Sequence, residues 1–163
     1  MRPSLVIFDC DGVLVDSEDI ANEVMAAHIT TSGWPLTGVR SRRLFVGKRM
    51  AEVMAEVEAK TGAKLPDDWL TKFEADRDVA FTSRLKPVPG IAAVLDQLDQ
   101  ARIPFCVASS GSIAKMNHSL GLTGLLSRFQ GRLFSANGMA RGKPFPDIFL
   151  HAAEQMGFPP KLS

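Results

Sequence analysis

Cysteine occurs only twice in the 163 residues, at Cys10 and Cys106, and both lie inside apolar runs. No histidine or further cysteine stands near either one in sequence, which disfavours a disulfide framework or a zinc cluster; two buried free thiols in a reducing compartment are expected. Charge of one sign is lacking too. Nineteen Lys and Arg balance eighteen Asp and Glu, for a formal net charge of +1. No strong field draws such a chain to nucleic acid or to an acidic membrane surface, so neither partner is expected. Long apolar runs are missing: those present, such as Leu5-Val6-Ile7-Phe8, fall far short of the ~20 residues needed to cross a bilayer. The N-terminus shows no long apolar stretch followed by a small-residue cleavage site, so no signal peptide is expected and the reading is cytoplasmic. There is no internal repeat and no low-complexity segment.

What is present is the composition of a globular domain, 45% hydrophobic and 23% charged. Residues 5–8 form a short apolar run ending at Asp9 and Gly12, which predicts a strand buried on both faces, as in parallel sheets. A second begins at Pro104 with Phe105-Cys106-Val107-Ala108 and ends in Ser109-Ser110-Gly111; a weaker third is Leu133-Phe134-Ser135. Helical patterns separate them. Ile91, Val94, Leu95 and Leu98 recur at helical spacing after Pro89-Gly90, and Ile113, Met116 and Leu120 do so after the second strand. A last helix is predicted with Pro146 in its first turn, Ile148, Phe149, Ala152, Ala153 and Met156 on its apolar face, and Gly157 closing it. Alternating strands and helices imply a parallel α/β sheet.

Residues 17–85 read differently. No strand is convincing, and amphipathic helices fit around Ile20, Val24 and Ala27, around Met50, Val53, Met54 and Val57, and around Trp69, Leu70, Phe73 and Phe81, the last capped by Asp67 or Asp68. A helical block inserted after the first strand is expected to form a cap over the strand ends.

The chemistry-bearing residues stand at those ends. Asp9 and Asp11, two apart at the carboxyl end of a buried strand, share a direction only while strand geometry continues. Gly12 lets the chain turn and a ligand approach the backbone. Ligands of open α/β sheets bind outside the carboxyl ends of strands, so placement and residue type agree, although Asp and Gly also end many strands as plain turns. At the second strand end, Ser109, Ser110, Gly111 and Ser112 open a helix, where free N–H groups make an anion cradle or a simple N-cap. Lys143, before the proline-flanked helix start, can set an ammonium beside a phosphate.

The string Phe8-Asp9-Cys10-Asp11-Gly12-Val13-Leu14-Val15-Asp16-Ser17 resembles the first motif of the haloacid dehalogenase-like hydrolase superfamily, in the subgroup that contains β-phosphoglucomutase and many phosphatases. Ser109 and the stretch Lys143-Pro144-Phe145-Pro146-Asp147 resemble its second and third motifs, in order. The resemblance implies a Rossmann-like three-layer α/β core, residues 1–16 and 86–163, with a helical cap at 17–85. It implies Asp9 as nucleophile forming an aspartyl phosphate, Asp11 as acid and base, and Ser109 and Lys143 as catalytic phosphate contacts. Substrate binding falls to Gly12, Ser110 and a cap loop with Gly47, Lys48 and Arg49, and Mg²⁺ to Asp9 and Asp11. The fourth motif, an acidic pair before a serine, has no counterpart before Ser163; this predicts a core incomplete at its C-terminal strands, an unpaired apolar edge at residues 5–8, and weakened Mg²⁺ binding and turnover.

Within the family pattern, Asp11 disfavours a dehalogenase. Ala21 stands where a phosphomutase carries a proton-shuttling histidine, and no lysine precedes Lys48 to form the imine of a phosphonatase. A phosphatase acting on a small phosphorylated metabolite, such as a sugar or sugar-acid phosphate, is the expectation. A β-phosphoglucomutase-like phosphomutase and a non-catalytic phosphate-binding or interaction module are the alternatives. Lys115-Met116-Asn117-His118-Ser119 resembles members acting on sugar-acid phosphates. His28 and His151 are expected to pack on helices rather than to bind ligands.

Overall fold

A computed structural model describes residues 3–159. In chain order the elements are β1 (Val6–Phe8), α1 (Glu18–Thr31), α2 (Gly38–Phe45), α3 (Met50–Thr61), α4 (Trp69–Arg84), α5 (Ile91–Gln100), β2 (Phe105–Ser109), α6 (Ile113–Leu122), a 3₁₀ turn at Leu126–Phe129, β3 (Leu133–Ser135) and α7 (Asp147–Gln155). The chain divides into two compact units, one formed by Ser17–Leu85 and the other by the residues before and after it.

In the second of these units the three strands are parallel and ordered β1-β2-β3, with Val6 beside Phe105 and Val107 beside Leu133. The central strand is buried at all five positions, as its unbroken apolar run requires. Alternation sends its side chains to two cores. Cys106 and Ala108 pack with Leu5 and with Ile148, Ala152 and Ala153 of α7. Phe105 meets Phe8 and Phe129 edge-on, with ring centroids 6.2 and 5.3 Å away. Each fully buried Phe contributes about 1.5–3 kcal/mol of transfer free energy, and each edge-to-face pair about 0.5–1.5 kcal/mol more. Among the described residues β1 has one strand neighbour, β2. An apolar groove of about 440 Å³, lined by Leu5, Ile7, Phe149, Leu150 and Ala153, runs beside it.

The unit Ser17–Leu85 is helical throughout its regular elements. Its core gathers Met25, Ile29, Phe45, Val53, Val57, Leu65, Trp69 and Phe73. Trp69 and Phe73 stack at 6.0 Å, and the buried Arg77 guanidinium lies over Phe73 and Phe81 while pairing with Asp78 at 2.8 Å.

Three local expectations shift. In α1 the buried face is Ile20, Met25, Ala26 and Ile29, and Ala27 is exposed. That helix is apolar on most sides, so spacing alone leaves its rotation open. Asp68 does stand at the N-cap of α4, but its carboxylate pairs with Lys72 at 2.7 Å instead of capping the helix. Pro146 precedes α7 as its cap residue, one position earlier than expected. Helix α2 escaped the pattern because three of its eight residues are arginine; Thr37 caps it through Arg40 N–H. His28 and His151 pack as expected, edge-on to Trp69 and Phe134 respectively.

Candidate active site

The parallel register brings the carboxyl ends of all three strands to one edge, at Phe8, Ser109 and Ser135. Beyond Phe8 the chain folds back at once. Leu14 and Val15 donate to the Cys10 carbonyl at 2.9 and 3.2 Å, and Gly12 donates to Val15 at 2.8 Å. Gly12 has φ of 71°, a left-handed conformation that glycine adopts without strain. The turn presents both carboxylates. Asp9 Oδ1 accepts from Cys10 N–H at 2.7 Å, and Asp9 Oδ2 lies 2.8 Å from Lys143 Nζ. Asp11 Oδ2 lies 2.7 Å from Lys115 Nζ.

Between the two aspartates the Cys10 side chain turns inward and is 2% exposed. Burial, reinforced by the neighbouring Asp11 charge, pushes its thiol up to about 12, so it stays protonated and inert at neutral pH. Cys106 is also a buried free thiol, pushed to about 11 by burial.

At the end of β2, the buried Ser109 hydroxyl accepts from Gly111 N–H at 3.0 Å. Ser110 beside it is exposed. Ser112 then caps α6 by accepting from Lys115 N–H at 3.1 Å, leaving the first N–H groups of that helix at the strand edge. Lys143 reaches the same edge from the loop after β3. Its ammonium donates to the Ala108 carbonyl at 3.1 Å and lies over the Phe149 ring at 5.1 Å. The peptide bond from Lys143 to Pro144 is cis. Arg141 clamps Asp147 bidentately, at 3.0 and 2.9 Å, fixing the start of α7 behind that loop.

Asp9, Asp11, Ser109 and Lys143 thus converge at one strand edge, with Gly12 and Ser110 in the loops between them. Gly47, Lys48 and Arg49 belong to the helical unit and are exposed there. Lys48 pairs with Glu56, and Arg49 forms a capping box with Glu52, so each cation has an acidic partner on α3. Lys115 also stands here, although sequence reading assigned it no role beyond opening a stretch that resembles members acting on sugar-acid phosphates. Its signal was a lysine in the first turn of a helix, where acids are favoured.

The donors at the strand edge are hard oxygens, the kind Mg²⁺ takes. One or two carboxylates completed by water and phosphate oxygens are its usual set, and Asp9 and Asp11 fit that in type. Among the described residues no group of three or more His, Cys, Asp or Glu side chains is placed to hold a metal. No helix among them is long and apolar enough to cross a membrane.

Fold and site together define an α/β enzyme core with paired acids and lysines at the carboxyl edge of a parallel sheet. Comparison with known proteins makes this specific. Residues 3–162 match the description of the haloacid dehalogenase-like hydrolases. The 6-phosphogluconate phosphatase of Escherichia coli (strain K12) is 34% identical over 158 residues, 95% of this chain and 69% of that protein. A conserved haloacid dehalogenase-like protein of unknown function from Agrobacterium tumefaciens superposes with a TM-score of 0.80 at 35% identity, over 95% of this chain and 69% of that one. A putative β-phosphoglucomutase from Thermotoga maritima gives 0.74 at 25% identity, over 98% and 72%. The chain belongs to the haloacid dehalogenase-like hydrolases, in the branch of the sugar phosphatases and β-phosphoglucomutase-like proteins.

Proposed function

We propose that this protein is a Mg²⁺-dependent phosphoric monoester hydrolase, working on a small phosphorylated sugar or sugar acid through an aspartyl-phosphate intermediate. The observation that carries the reading is the pairing of Asp9 with Lys143 at 2.8 Å, at the strand edge where Ser109 and the α6 N-terminus also converge. The E. coli relative named for 6-phosphogluconate supports the substrate class. In this reading Ser17–Leu85 acts as the cap, its Gly47, Lys48 and Arg49 loop meeting the distal part of the substrate, and the protein works in the cytoplasm.

A carboxylate oxygen of Asp9 attacks phosphorus. The ester P–O bond breaks, and the departing alkoxide takes a proton from Asp11. Water then attacks the phosphoryl group, giving its proton back to Asp11. The bond from phosphorus to Asp9 breaks, and orthophosphate leaves with Asp9 again a carboxylate and Asp11 again protonated. Lys143 and the Ser109 hydroxyl hold the transferring oxygens, and free N–H groups at the start of α6 add to the cradle. Asp9, with the Asp11 main-chain carbonyl, would hold Mg²⁺, which offsets charge between nucleophile and phosphate. Ala21 offers no proton-shuttling group for a mutase, so water is the acceptor.

The test is hydrolysis of p-nitrophenyl phosphate with Mg²⁺ by the chain and by its Asp9→Asn variant, with beryllofluoride binding followed by fluorine NMR. Turnover and a bound fluoride signal, both lost in Asp9→Asn, are expected. Equal turnover in the two proteins would sink the reading.

A further inference from the structure

The first turn of α6 runs against its own electrostatics. Helix N-termini carry partial positive charge and favour acids, yet α6 has no acid in that turn and places Lys115 at its third position. The ammonium is held instead by Asp11, 104 residues earlier in the chain. The two groups lie 2.7 Å apart and are largely shielded, 20% and 22% exposed. Gly111 makes room for the crossing. A Cβ there would stand 3.2 Å from Lys115 Cδ and 3.3 Å from Ser109 Oγ, tighter than ordinary contact on both sides. A locally unfavourable lysine, a residue without a side chain beneath it and a carboxylate at its tip form one arrangement, and such breaches of local preference cluster at functional sites.

We propose that Lys115 is a positioning residue of the active site, fixing the orientation of the Asp11 carboxylate as Lys143 fixes that of Asp9. The proposal rests on the reading of Asp11 as the proton-transfer group. An aspartate on a tight turn retains rotation about two side-chain bonds, whereas proton transfer requires it within hydrogen-bond reach of the leaving oxygen and, with any substrate, of the water that cleaves the aspartyl phosphate. A short charge-assisted bond from a helix anchored to the sheet removes that freedom. Lys115 acts through Asp11 and needs no contact with substrate.

The experiment measures p-nitrophenyl phosphate turnover for Lys115→Met and Lys115→Arg, each alone and combined with Asp11→Asn. Lys115→Met is expected to lower kcat by about 10–100-fold, the scale set by misplacing a reacting group. KM should stay within about threefold, and Lys115→Arg should recover most of the loss. With Asp11→Asn in place, removing Lys115 should change nothing further, because its route of action is gone. An unaltered kcat in Lys115→Met, or the same loss in both backgrounds, overturns the proposal. A crystal structure of Lys115→Met reads the same point without chemistry: an Asp11 carboxylate swung to another rotamer is expected, and one left in place overturns it. Failure of the phosphatase reading shows separately, as hydrolysis that survives Asp9→Asn.

Discussion

The Lys143 ammonium lies 2.8 Å from Asp9 Oδ2 and donates at 3.1 Å to the main-chain carbonyl of Ala108, so one side chain joins the loop after β3 to the ends of β1 and β2. Asp9 is thereby held on both oxygens, since Cys10 N–H occupies Oδ1 at 2.7 Å. Such a group is preorganised before any substrate arrives.

Replacing Lys143 by methionine is therefore expected to lower kcat/KM for a phosphomonoester by about 10²–10³-fold, the usual cost of one preorganised charge stabiliser. Arginine should rescue little, because a planar fork does not reproduce a point charge between a carboxylate and a carbonyl. Steady-state kinetics on the purified variants checks both.

Asp11→Asn should separate the two half-reactions. p-Nitrophenolate leaves without a proton, so the first step survives with that substrate while water is no longer activated for the second. Stopped-flow absorbance should show a burst of about one equivalent followed by a stall. A sugar phosphate, whose alkoxide needs the proton, should give no burst.

Chelation of divalent cations is expected to abolish turnover, and added Mg²⁺ to restore it. Beryllofluoride binding to the parent should itself depend on Mg²⁺, disappearing on chelation and returning as the cation is added back. Titration followed by fluorine NMR measures this.

Cys106 predicts an alkaline limit to stability. Its unfolded thiol ionises near the ordinary 9.0, but in the fold burial raises this to about 11. Between those values the unfolded state binds fewer protons than the folded one, so stability falls as pH rises, by up to about 1.4 kcal/mol per pH unit for this group. Its contribution is fully present below pH 9 and lost through 11. Urea unfolding from pH 8 to 11 should show a shallower decline in Cys106→Ala than in the parent. Ellman's reagent should label neither Cys10 nor Cys106 in the native protein at pH 8, and both after unfolding.

Much of the molecule was legible one residue at a time. The unbroken apolar run of residues 105–108 could only be satisfied in the middle of a parallel sheet, and β2 is buried at every position. Gly157 closed the last helix as expected, with a left-handed φ of 77°. Asp9, Ser109 and Lys143 could be named because each belongs to a short string whose local geometry is self-contained. The arginine-rich α2 was not legible, since tertiary packing of Phe45 and burial of Ser41, rather than any apolar stripe, hold it in place.

The sequence by itself determined which groups end the strands: their order, their types and the glycine that lets Asp9 and Asp11 turn outward are local properties. Only the tertiary structure decided how those groups are paired. That Lys115 reaches Asp11 at 2.7 Å, and Lys143 reaches Asp9 at 2.8 Å, follows from the register of β1 on β2 and from the seat of α6 on the sheet. Contacts between residues more than a hundred apart carry no periodicity along the chain, so they exist only once the core has packed.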